Sequence, residues 1–242
     1  MRAVVAGWRP EAGSGKHSHL NAGQGLSVSP KGGYEGGWDN SWTNDLVAAA
    51  DSWNNNTFNC PNEATRATWL APFGDSERQP INCETWDEAY AFCIWDGAFL
   101  PSEAEWNYAA AGGSEERIYP WSSPPRSQTI DCSYANYLGN PEPPHTSCAR
   151  LVIGDVGSDS PKGDARWGQS DLAGNMSEWT LDGYNDYPTH CIDCVNQNAG
   201  APVIRGGSYE SNSAGLAAAV RGYFGQLPQR DPTIGARCAR LP

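Results

Sequence analysis

Aliphatic side chains are scarce in this chain. Leu, Ile, Val and Phe together supply only 34 of 242 residues, and methionine two. With a net charge of -12, that shortage ordinarily argues against a packed core and for disorder. Lysine is scarcer still, three residues beside 13 arginines and 28 acids. A balance of that sign does not suit gripping phosphate backbones, so nucleic acid is excluded as a general partner. No apolar stretch approaches the roughly 20 residues of a membrane span. Met1–His19 also lacks an apolar run of signal-peptide type. No internal repeat is visible, and no linker divides the chain into two cores.

Against these absences stand 11 Trp, 10 Tyr, 27 Gly and 18 Pro. Each buried Trp or Tyr removes roughly 150–250 Å² from water. The composition therefore predicts a folded protein with little regular structure and a core of aromatics and small residues. Eight cysteines stand at 60, 83, 93, 132, 148, 191, 194 and 238. Zinc would need a second close Cys pair, or a His pair beside the first. The one Cys-x-x-Cys, Cys191 to Cys194, is followed by Asn, Gly and Pro loop residues rather than a helix, against a thioredoxin-like use. Four disulfides in an oxidising compartment is the favoured reading, and with it a secreted, periplasmic or cell-surface protein whose signal lies outside this sequence. The alternative is a reduced protein with scattered buried thiols.

Two helices announce themselves. Thr85 is placed to cap Trp86–Asp96, with apolar residues recurring at Trp86, Ala89, Tyr90, Cys93 and Ile94 and Gly97 as the stop. Ser102 and Glu105 form a capping box opening Glu103–Ala111, closed by Gly112-Gly113. A shorter helical candidate spans Asn44–Trp53. Beyond Tyr119 the pattern predicts short strands between turns, at Ala149–Ile153, Met176–Thr180, Val203–Arg205, Ala217–Arg221 and Ala236–Arg240. The fold class expected is α+β with two main helices and short antiparallel strands. It is read as one domain, with residues 1–79 an irregular opening part and 80–242 the core.

Three strings stand out together: PINCETWDEAYAFCIWDGAFLPSEAEWNYAAAGG at 80–113, GQSDLAGNMSEWTLDGY at 168–184, and VIRGGSYES at 203–211 with IGARCAR at 234–240. In order and spacing they resemble the formylglycine-generating enzyme (sulfatase-modifying factor) family, whose fold is a variant of the C-type lectin fold. Residues 1–79 match weakly, and MRAVVAG looks like the tail of a family helix, so the expectation is a chain truncated at its start. In the family, two cysteines just after RGGSY hold a copper ion that activates oxygen to oxidise a cysteine of a bound sulfatase peptide. Soft thiolates suit Cu(I). The resemblance puts those two positions on Ser211 and Leu216, and no cysteine occurs between Val195 and Arg237. It thus implies that copper and the oxidase chemistry are missing.

The resemblance also implies a Cys93–Cys238 disulfide. Closing so long a loop could stabilise by roughly 4–5 kcal/mol in the chain-entropy model. Proximity suggests Cys60–Cys83, Cys132–Cys148 and Cys191–Cys194, although eight cysteines allow about 105 pairings. A calcium site carries over to Asp171 and Glu178 through carboxylates and to Gly174 and Met176 through carbonyls, a hard-oxygen set of the kind calcium prefers. The family's second calcium loop would begin at Asn136-Tyr137, but its aspartate position falls on Arg150, which argues against it.

Other candidates are weighed against plainer readings. His17 and His19 could bind a transition metal, but are read as a solvated pair on a Gly-Ser loop. The histidine-bound iron of the family's sulfoxide synthases would need a third ligand near them. Glu103 and Glu105 could suggest a carboxylate pair for glycosidic chemistry, but are read as capping and structural. Trp38, Trp42, Trp53 and Trp69 could form a carbohydrate-stacking surface, but are read as core. The functional expectation is a monomeric extracellular or cell-envelope module that binds a protein, peptide or carbohydrate, or acts structurally. The alternatives are an active family oxidoreductase, or a ligand-binding protein diversified by a retroelement.

Overall fold

The computed structural model describes residues 2–29, 31–46, 60, 66–68, 75–139, 152–187, 191–197, 200–225 and 230–241. Its helices are a short α1 (Arg2–Val5), α2 (Trp86–Trp95) and α3 (Glu103–Ala111). Its strands are β1 (Ser27–Val28), β2 (Ser177–Gly183), β3 (Cys194–Val195), β4 (Pro202–Arg205), β5 (Gly222–Tyr223) and β6 (Ile234–Ala236). The architecture is α+β with little regular structure, as the composition requires.

Local sequence explains both long helices. Thr85 Oγ1 accepts the Glu88 N–H at 3.3 Å while Glu88 Oε2 accepts the Thr85 N–H at 3.0 Å, a reciprocal cap of two orphan donors. Ser102 and Glu105 repeat the device at α3. Gly112 ends α3 in the left-handed region at φ 68°, where a side chain would be strained.

The main sheet runs β5-β4-β2-β6. β2 pairs antiparallel with β4 through Glu178–Arg205 and Trp179–Ile204, and parallel with β6 through Ser177–Ile234 and Trp179–Ala236. β1 and β3 also pair in parallel. The expectation of antiparallel strands is corrected at these two pairings. Strand direction here is set by partners far apart in the chain, which no local pattern encodes. Ala217–Arg221 is not a strand but the turn following a 3-10 segment at Ser213–Leu216. Of Ala236–Arg240 only Ala236 belongs to a strand, Ala239 forming an isolated bridge with Phe99. Val152 and Ile153 are irregular, and 149–151 lie outside the described residues. The helix expected over Asn44–Trp53 is, over its described part, the end of a 3-10 turn at Asn40–Asp45.

One core draws on the whole length. Leu26 and Trp38 pack with Trp86, Tyr90, Leu100, Trp179 and Ile234, and Trp42 stands edge-on to both Trp38 and Trp86 at 5.4 Å. Trp53 and Trp69 lie outside the described residues. Cys93–Cys238 ties α2 to the segment after β6, and Cys60–Cys83 and Cys191–Cys194 are also bonded. Cys132 is disulfide-bonded too, and its expected partner Cys148 lies outside the described residues. No helix among the described residues is long and apolar enough to cross a membrane.

Candidate functional site

The segment leaving β4 carries the two positions that the resemblance assigns to copper. Gly206 and Gly207 turn it at φ 91° and 66°. A Cβ on Gly207 would lie 2.8 Å from the Gly215 carbonyl, so only glycine permits the approach. The turn brings the Ser211 hydroxyl to the Ser208 N–H at 3.0 Å, and the Ser211 carbonyl accepts the Leu138 N–H at 2.9 Å. Asn212 then caps the 3-10 segment through the Gly215 N–H. Leu216 is fully buried among Tyr119, Trp121, Tyr137 and Ala173. The Tyr119 hydroxyl donates to the Ser213 carbonyl at 3.0 Å. A serine committed to its own turn and a leucine in an aromatic nest offer no thiolate, so the pair cannot hold Cu(I) as two cysteines would.

The loop read as a calcium site precedes β2. Asp171, at φ 57°, accepts the Gly157 N–H at 2.7 Å. A Cβ on Gly174 would stand 2.6 Å from the Asn136 carbonyl, and the Gly174 carbonyl accepts the Met176 N–H at 2.8 Å. Glu178 accepts the Trp106 indole N–H at 2.7 Å and a fork from Arg237 at 2.7–3.1 Å. Asp171, Met176 and Glu178 line one cavity of about 170 Å³ with Ser170, Asn175 and Arg237. Gly174 is not among its lining residues. Burial pushes the Asp171 carboxyl up, against the Gly157 N–H and Arg237, while Glu178 and Asp159 push it further up. The cavity thus sets two carboxylates against one guanidinium, with both Glu178 oxygens accepting from Arg237 and one also from Trp106. Among the described residues no group of three His, Cys, Asp or Glu side chains is arranged to hold a metal ion, so carbonyl oxygens would have to complete a cation site here.

Beside it, Asn136 donates to the Val152 carbonyl and to Asn175 Oδ1, and its own buried Oδ1 meets no partner. This orphaned oxygen stands where the second calcium loop was read. Arg150 lies outside the described residues.

His17 requires a correction. It is not a solvated loop residue but is completely buried. Its Nδ1 meets Glu35 Oε1 at 3.0 Å and its Nε2 meets Glu105 Oε2 at 3.0 Å, while its ring packs on Phe99 at 4.3 Å between centroids. Burial alone would lower its pKa, but the bonds to Glu105 and Glu35 outweigh it and raise it to about 9. Both ring nitrogens are occupied, so His17 and His19 do not present a metal-binding pair. Sequence reading missed this because the bridge joins three distant segments; Glu105 was read as capping and structural, without this partner. Glu103 points elsewhere, taking a fork from Arg221 at 2.5 and 2.7 Å with buried Arg205 at 3.7 Å. The two glutamates therefore serve separate ion pairs.

Comparison with known proteins follows the same lines. Residues 28–242 match the family model described as "Sulfatase-modifying factor enzyme 1-like domain". The Bos taurus protein named inactive C-alpha-formylglycine-generating enzyme 2 is 28% identical over 184 residues, covering 72% of this chain and 56% of that protein. The formylglycine-generating enzyme of Streptomyces coelicolor is 34% identical over 158 residues, covering 59% and 48%. The chain spans about half the length of these curated relatives. PvdO from Pseudomonas aeruginosa shares the fold, with a TM-score of 0.52 and 21% identity over 66% of this chain and 60% of that one.

Proposed function

Because this chain belongs to the sulfatase-modifying factor enzyme 1-like family, we propose that it is a member that keeps the scaffold and has lost the copper oxidase. It serves as a binding or structural module in an oxidising extracellular or envelope compartment. One observation carries this reading: the two positions that the family resemblance assigns to copper are occupied by a hydrogen-bonded Ser211 and a fully buried Leu216. Relatives include proteins named as formylglycine-generating enzymes and proteins named as inactive forms, which supports a scaffold kept without the activity. The bonded cysteines are compatible with the compartment. Calcium is the metal this reading retains, held by Asp171 and Glu178 and the loop carbonyls, where it would offset the half-buried Asp171 carboxylate and stiffen the entry to β2.

The test is incubation with Cu(I), oxygen and a cysteine-containing sulfatase peptide, followed by mass spectrometry. The expected result is an unmodified cysteine; conversion to formylglycine overturns the reading. A double variant, Ser211→Cys with Leu216→Cys, is expected to gain Cu(I) affinity measurable by competition with a chelator. Unchanged affinity would show that these are not the metal positions. Elemental analysis of protein purified without chelators is expected to find about one calcium per chain and no stoichiometric copper or iron. A second calcium would point to Asn136.

A further inference from the structure

A separate cavity of about 340 Å³ opens where the loop before the Asn40–Asp45 turn meets the far end of β2. None of its lining residues belongs to 171–178 or 206–216. That volume is at the small end of ligand pockets. Its chemistry comes from Trp42, Trp86, Asp39, Asp182 and Gln197, with glycines between them.

The two indoles stand at 86° to one another with centroids 5.4 Å apart, so they form a corner. Trp86 spends its N–H on the Thr180 carbonyl at 2.8 Å and therefore offers the cavity ring carbon only. Asp182 is buried, and each of its oxygens accepts a single backbone N–H, from Glu103 at 2.7 Å and Asn196 at 2.9 Å. Each oxygen thus keeps acceptor capacity. Burial raises the Asp182 carboxyl to about 6, against those two N–H groups, which leaves it charged at neutral pH but poorly compensated. Asp39 is exposed, and its carboxyl is held below the usual range by the Ser41 N–H and hydroxyl. Among the described lining residues there is no Lys, Arg or His.

We propose that this cavity binds a small organic cation, an amine or quaternary ammonium head, between the Trp42–Trp86 corner and the carboxylates of Asp39 and Asp182. Indole faces and carboxylates both attract positive charge, and a cation excluded from water gains from both. A neutral sugar would also need donors, and the lining side chains supply few: the Gln197 amide and the Trp42 N–H. The chain's net charge of -12 raises the local concentration of cations. The inference does not depend on whether oxidase activity is lost, because the two sites share no residue.

Calorimetric titration with choline, and with its neutral isostere 3,3-dimethylbutan-1-ol, tests it. Choline is expected to saturate one site, with the alcohol at least about tenfold weaker, the share expected of charge. A Cβ on Gly36 meets no atom within 4 Å, so Gly36→Leu is expected to fold, fill space and weaken choline binding. Asp39→Asn, at an exposed position, is expected to weaken it about threefold or more, as loss of one charge partner would. Equal binding of choline and the alcohol, absence of saturation, or saturation by glucose instead would overturn the proposal. So would choline binding unchanged in both variants, which would place it elsewhere. A trimethyllysine peptide binding more tightly than choline would identify the cation as a protein side chain; equal or weaker binding would identify it as a free metabolite.

Discussion

On one face of β2, Trp179 and Leu181 enter an aromatic cluster with Trp86, Tyr90 and Ile234. On the other, Glu178, Thr180 and Asp182 are just as buried, yet each meets a chosen partner: Arg237 and Trp106, the Val203 carbonyl, and the N–H groups of Glu103 and Asn196. The first face is stabilised by area removed from water, the second by directed hydrogen bonds and ion pairs under α3. A chain with so few aliphatic residues can bury a central strand on both sides only by treating polar side chains as core material. That works because buried polar groups cost little once fully paired and much when one partner is removed.

The comparison can be broken first on the apolar face. Trp179 is fully buried, so Trp179→Ala is expected to cost about 3–5 kcal/mol, read as a lower midpoint in denaturant. On the polar face, Glu178→Gln leaves Arg237 facing a neutral amide. The expected loss is about 3 kcal/mol, moderated by Arg237's partial exposure. Adding Arg237→Met is expected to recover much of it. If the double variant is no better than the single, the pair acts by something other than charge compensation. A smaller effect sharpens the same contrast elsewhere. His17 is charged between two carboxylates with its pKa raised to about 9, against about 6.5 unfolded. Its stabilisation is complete below pH 6.5 and lost as pH rises to 9, on the order of 3 kcal/mol at most. Thermal melting at pH 6.5 and 9.5 is expected to show this loss in the native protein and a flatter profile in His17→Gln.

Both helices were legible because their signals are local: a capping residue, its partner three positions on, and a glycine stop. The expectation that the copper positions fall on Ser211 and Leu216 rests on an equally local string, RGGSY at 205–209. What sequence could not show were meetings between distant segments. The His17 bridge spans residues 17, 35 and 105, and a Gly-Ser neighbourhood conceals a buried ion pair. That Glu178, Thr180 and Asp182 are all buried under α3 is likewise a meeting of distant segments. The Trp42–Trp86 cavity draws on segments from 36 to 202. Parallel pairing of β2 with β6 was equally hidden.

The segment 230–240 has a consequence for the order in which the molecule can be made. It supplies Arg230 to Glu88, the Thr233 carbonyl to Ser177, Arg237 to Glu178, Cys238 to Cys93 and Arg240 to Asp96. Until those residues leave the ribosome, β2 lacks its parallel neighbour, Glu178 has no counter-charge and Cys93 no bonding partner. Residues 1–229 of this chain are therefore synthesised before its central strand can settle. During that interval Glu178 is without Arg237, and burying its carboxylate costs more than leaving it in water.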